Sequence, residues 1–143
     1  MSVILAALVM TQAQFRPLND CVLIRPVTFF EDLSALPSEI RTDFEMRAGV
    51  VYSTKEKGVN FGDVVSPNPK TGRLLIYVAN HKNQWIVSYT YGGISIRTVT
   101  VAYIQSTSRT STKPYLSGAL EGDGCVAANT FLHGVEVEPG WSH

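Results

Sequence analysis

The sequence predicts a mainly β fold, an antiparallel meander forming a sandwich or a partly closed barrel with one short helix beside it. Three observations carry this expectation. Between Arg73 and Gln105 the chain is dominated by β-branched and aromatic residues (RLLIYVANHKNQWIVSYTYGGISIRTVTVAYIQ), the types that fit a pleated surface. Gly92-Gly93 interrupts this stretch with two residues that accept positive φ, as a primed hairpin turn requires. Asn80-His81-Lys82-Asn83 interrupts it again with a polar loop.

Closing the glycine turn sets Tyr91 opposite Ile94, Tyr89 opposite Ile96, Val87 opposite Thr98 and Trp85 opposite Thr100. Closing the polar loop sets Val78 opposite Trp85, Ile76 opposite Val87 and Leu74 opposite Tyr89. Both turns then put the apolar set on one face and leave Ser88, Thr90, Ser95 and Arg97 on the other, and a one-residue slip would reverse the faces. In the third strand the apolar phase changes from Ile94 and Ile96 to Val99, Val101 and Tyr103. This fits either a β-bulge between Arg97 and Thr98 or a strand end covered on both faces.

The remaining elements follow in chain order. Residues 2–10 are almost wholly apolar, and Thr11 and Ala13 place small residues where a signal peptidase reads before a cut after Ala13. Residues 1–13 therefore read as a signal peptide and residues 14–143 as a single mainly β domain. No Lys or Arg precedes the apolar run, so a first core strand from Val3 to Val9 is the alternative. The run is too short for a stable membrane span, which takes about 20 apolar residues. Cys21 to Val27 reads as a strand that Pro26 confines to an edge. From Ser34 to about Asp43, the spacing of Leu33, Leu36, Ile40 and Phe44 favours a helix with Ser34 as cap and Pro37 in its first turn. Strict alternation from Glu39 to Arg47 fits a strand as well. Ala48 to Ser53 and Val59 to Val65 read as a second hairpin around Lys55-Glu56-Lys57-Gly58, followed by a Pro/Gly loop from Ser66 to Gly72. Ser106 to Gly124 reads as a long exposed loop, and Cys125 to Ala128 and Thr130 to Val137 as strands.

Charge and cysteine content bound the function. Twelve basic residues balance 12 acidic ones in 143. No global field draws the chain to nucleic acid or to an anionic membrane. The two cysteines, Cys21 and Cys125, belong to neither a CxxC nor a metal-ligand spacing. In an exported chain they pair, which together with residues 1–13 points to a secreted or periplasmic protein.

Three chemistries merit attention. Cys125 and His133 could form a thiolate–imidazole pair if the fold brings them together. The carboxylate groups Glu31-Asp32, Asp43 with Glu45, and Glu121 with Asp123 are each better explained by capping, surface charge or a glycine-rich turn. His81 reads as a solvated turn residue and His143 as terminal. No metal site, phosphate cradle, dinucleotide fingerprint or other cofactor motif is present. Surface aromatics near turns are the residues that protein interfaces favour. They nominate the tip Tyr91-Gly92-Gly93 and the loop residues Arg109, Lys113 and Tyr115 as a partner-binding surface. The expectation is a small exported binding protein, an inhibitor of or immunity factor against another protein. The alternatives are an envelope hydrolase using His133 with Cys125 or a carboxylate, and a structural or assembly subunit acting through a sheet edge.

Overall fold

Five antiparallel strands lie in one open sheet in the order of the sequence, β1 (Thr28–Phe30), β2 (Arg73–His81), β3 (Gln84–Tyr91), β4 (Arg97–Ile104) and β5 (Tyr115–Glu121). This is a computed structural model, and it describes residues 17–18, 20–53, 73–92, 96–106 and 115–137. The fold is mainly β and the sheet does not close into a barrel. Helix α1 (Ser38–Ala48) covers one face and helix α2 (Gly124–Leu132) the other. The expected signal segment, the hairpin around residues 55–58 with its following loop, and the tail from Pro139 to His143 lie outside the described residues.

The meander is present, with a different register. His81 pairs Gln84 across a two-residue turn in which Lys82 takes φ +53°, so the four-residue loop is not formed. On the other side Tyr91 pairs Arg97, Tyr89 pairs Val99, Val87 pairs Val101 and Trp85 pairs Tyr103. The Gly92-Gly93 two-residue hairpin is therefore corrected: β3 ends at Tyr91, β4 starts at Arg97, and Ile96 is left 62% exposed. The reason lies in the apolar phase of β4. Val99, Val101 and Tyr103 alternate without interruption and bury one side of the strand, and that burial outweighs the local turn preference of two glycines. No bulge falls between Arg97 and Thr98; the register shifts instead between Leu75 and Tyr77 and between Ala102 and Tyr103.

The first of those bulges sets Leu75 and Val78 on the α1 face, and Tyr77 and Ala79 on the α2 face. Ile76 accordingly packs on the α2 side rather than with Val87. Against α1 the core comprises Ile40, Phe44 and Ala48 from the helix with Leu75, Val78, Val87, Tyr89, Val99, Val101 and Tyr103 from the sheet. Phe44 meets Tyr89 edge-on at 5.6 Å. The Tyr103 hydroxyl donates to Asp43 Oδ2 at 2.8 Å, tying β4 to α1. The expected single buried face is also corrected, because Ile86, Ser88 and Thr100 on the α2 side are buried too.

Helix α1 runs later than expected. Ser34 belongs to a separate 3-10 turn (Leu33–Ala35) whose N–H at Ser34 is capped by Asp32. Pro37 holds Leu36 extended at ψ 141°, so the helix starts only after it. Ion pairs Arg41–Glu45 and Asp43–Arg47 brace its outer side. Ala48 to Ser53 forms no strand beyond a single parallel bridge from Tyr52 to Leu74.

Three other expectations are overturned near the chain ends. Cys21 to Val27 is an extended strap without strand pairing; the edge strand is the following Thr28–Phe30. Tyr115–Glu121, read as exposed loop, is β5, because pairing with β4 supplies what a segment interrupted by Ser117 and Gly118 does not signal by itself. Residues 124–132 form a helix rather than a strand. Asp123 Oδ1 accepts from Cys125 N and Val126 N, a side-chain cap for α2. The other end is closed by Gly134 at φ +84°, with Gly134 N donating to Phe131 O and Val135 N to Thr130 O, the pairing of a Schellman ending.

The strap is fastened to α2 covalently and by polar bonds. Cys21 and Cys125 form a disulfide with Cα atoms 5.7 Å apart. Asn129 grips the strap twice, its Nδ2 donating to Val22 O and its Oδ1 accepting from Ile24 N. Because the bridge closes a long loop, the Cys21→Ser/Cys125→Ser double variant is expected to lose roughly 4 kcal/mol of unfolding free energy. Chemical denaturation of both forms checks this, and coincident midpoints would refute it.

Two core tyrosines impose a pH limit. Burial pushes both the Tyr77 and Tyr103 hydroxyls well above the ordinary 10.0, with Asp43 adding to the effect at Tyr103. The Tyr77 hydroxyl lies beside those of Ser88 and Thr100 but has no partner in hydrogen-bond geometry among the described residues. A phenol whose folded value is raised stays protonated in the fold while the unfolded chain ionises. The stabilisation is therefore whole below about pH 10 and is lost as the pH rises beyond it. Alkaline absorbance titration should show these two rings ionising only with global unfolding; ionisation of all tyrosines before any loss of circular dichroism would contradict this.

Candidate functional site

The sheet register sorts the nominated binding residues onto its two ends. Tyr91 closes β3 between Arg73 of β2 and Arg97 of β4, with the Arg73 guanidinium 5.2 Å over its ring. Gly92 follows it, half-buried. Tyr115 opens β5 at the far end of the sheet, paired with Ile104. At about 3.3 Å per residue, strand β4 separates these ends by roughly 20 Å. Tyr91 and Tyr115 are thus not parts of one tip. Gly93, Arg109 and Lys113 lie outside the described residues.

The Tyr115 end carries the more open chemistry. His81, Gln84, Ile104 and Tyr115 form one row across β2, β3, β4 and β5, each the register partner of the next. Above it sits the C-terminal turn of α2, and between them opens a cavity of about 270 Å³ lined by Arg25, His81, Lys82, Asn83, Gln84, Ile104, Phe131, Leu132, His133 and Gly134. Two last-turn carbonyls of α2 are already occupied. Gln84 Nε2 donates to Phe131 O at 2.8 Å and Arg25 Nε to Leu132 O at 2.9 Å. His81 Nδ1 lies 2.7 Å from Pro26 O, and since a carbonyl only accepts, the proton sits on Nδ1. This part-exposed turn histidine is therefore held in one orientation by a backbone carbonyl.

Tyr115 is 52% exposed and its hydroxyl donates to Glu136 Oε2 at 3.0 Å. That acceptor and its negative charge raise the phenol above its ordinary value.

The other sequence candidates are accounted for locally. Cys125 is bonded to Cys21 and so provides no thiolate for His133. Asp43 serves Tyr103 and Arg47, Glu45 serves Arg41, Glu121 pairs with Arg97 at 3.4 Å, and Asp123 caps α2. Among the described residues no three His, Cys, Asp or Glu side chains converge as a metal site, and no helix is long and apolar enough to cross a membrane. Sequence reading missed Arg25 and Gln84 entirely. Their signal is only that His81 shares the face of Tyr77 and Ala79, which becomes visible once the bulge at Ile76 is known.

The fold and site together define a mainly β protein with one open antiparallel sheet, a helix on each face and a disulfide-fastened strap. No family model, curated protein or solved structure matches the chain.

The Tyr115–Glu136 contact makes its own prediction. In Glu136→Gln the charge is gone, so the Tyr115 phenol should ionise at a lower pH, closer to an ordinary tyrosine, as read by its ring resonances in an alkaline titration. An unmoved midpoint would show that Glu136 does not set it.

Proposed function

We propose that the protein is a small exported binding protein. In this reading residues 1–13 are a signal peptide, residues 14–143 form one domain, and the mature chain works in a secreted or periplasmic setting, capturing a protein partner as an inhibitor or immunity factor. Neither nucleic acid nor a cofactor enters this function. The observation that carries the reading is Tyr115, a half-exposed aromatic at the end of a strand with its hydroxyl already bound by Glu136. A large ring held in one orientation loses little further freedom on binding, which is what makes such residues effective contacts. The Cys21–Cys125 disulfide supports the exported setting, where such bonds persist. The sheet-edge alternative has less to offer, because Val137 N donates to Ser117 O on β5, while β1 and Tyr52 occupy β2.

The test uses the chain produced by its native host. Mass measurement with and without reduction should find a chain lacking residues 1–13, with thiols that alkylate only after reduction. That chain, immobilised, should retain a protein from the host's extracellular or periplasmic fraction. Tyr115→Ala should lose it while melting at an unchanged temperature, and Tyr91→Ala reports whether the opposite end contributes. Retention by Tyr115→Ala equal to that of the parent would remove this surface from the function, and an unprocessed chain would remove the exported setting.

A further inference from the structure

We propose that the cavity between the end of the sheet and the last turn of α2 is a binding site for inorganic phosphate, taken as the hydrogen phosphate ion. This stands independently of the partner-binding function, because it rests on different residues of the same sheet end.

Charge is the first argument. Arg25 and Lys82 both line the cavity together with His81 and His133, and among the described residues no Asp or Glu lines it. The opposing contribution is the C-terminus of α2, worth about half a negative charge, and the Arg25 and Gln84 bonds to Leu132 O and Phe131 O already occupy its carbonyls. Two full positive charges outweigh it. Among the described residues neither Arg25 nor Lys82 is paired with a carboxylate. The Arg25 Nε bond to Leu132 O holds the guanidinium in place and leaves its terminal N–H groups for an incoming oxygen. Glu136, the acid nearest in sequence to His133, is drawn off to Tyr115.

The tautomer of His81 selects among oxyanions. Its Nδ1 proton is held by Pro26 O, and Pro26 is not among the cavity-lining residues, so when the ring is uncharged its Nε2, on the other edge, is an acceptor. An acceptor beside cations suits an anion that still carries an O–H. Hydrogen phosphate has one near neutral pH, whereas sulfate has none. The volume of about 270 Å³ falls just below the usual range for organic ligands and suits a small anion.

Lys82 supplies a variant that spares the fold. Its φ of +53° is a conformation that Asn adopts more readily than Lys, so Lys82→Asn removes the charge without straining the turn. The experiment titrates inorganic phosphate, and sulfate at matched ionic strength, into the full chain in mildly alkaline buffer. Binding is followed by the Arg25 Nε–H and the His81 and His133 ring resonances, with chloride as the control. Saturable shifts are expected with phosphate in the millimolar range, weaker with sulfate. Lys82→Asn should melt at or above the parent temperature and bind phosphate roughly two- to fivefold more weakly. Shifts no larger than those from chloride would overturn the site. So would unchanged phosphate affinity in Lys82→Asn, and sulfate binding as tight as phosphate would overturn the selection by His81.

Discussion

The structure depends on one constraint: the central strands β3 and β4 are buried on both faces, so the sheet needs a cover on each side. Val87, Tyr89, Val99 and Val101 require α1, while Ile86, Ser88, Thr100 and Ala102 require α2 and the strap. An antiparallel sheet with one wet face would need only the first. The second cover is short, a nine-residue helix and an extended segment. Its own apolar contacts are supplemented by the disulfide, by both ends of the Asn129 amide, and by Arg25 and His81, which each bind backbone across the join.

That arrangement explains why the polar groups near α2 are structural first. Asp123 opens the helix, Asn129 holds the strap, and Arg25 and Gln84 close the last turn. The same requirement brings the Arg25 guanidinium to the C-terminus of α2, which favours a cation. Arg25 and Lys82 both line the cavity beside that last turn. The opposite end differs. There Arg73 lies over Tyr91, and Arg97 is joined to Glu121.

The α2 face also holds a hydroxyl layer that an apolar core would not need. Ser88 and Thr100 bond to each other at 3.1 Å, while the buried Tyr77 hydroxyl and Ser117 Oγ have no hydrogen-bond partner among the described residues. Buried groups of this kind are commonly satisfied by internal water. A Ser–Thr bond between paired positions of β3 and β4 is also broken by any slip of that register, which links the polar layer to the specificity of the pairing.

The sequence by itself determined what local pattern and counting can reach. The strand content of 73–105 and the pairing of the only two cysteines were legible because each rests on neighbouring residues or on a count with one solution, while the pattern of Ile40 and Phe44 fitted helix and strand alike. The tertiary structure decided the rest. Two glycines suggested a tight hairpin, but the register followed the burial of Val99, Val101 and Tyr103. Leu116 to Leu120 looked like loop, since an edge strand with Ser117 and Gly118 is defined by its neighbour and not by its own hydrophobicity. The apolar stripe Ala127, Ala128, Phe131 and Leu132 resolves into a helix only when a second face of the sheet is there to receive it. For the same reason the cavity of Arg25, His81, Lys82 and His133 was invisible in one dimension: it joins the strap, a hairpin turn and a helix end far apart along the chain, and what brings them together is the burial of the sheet between them.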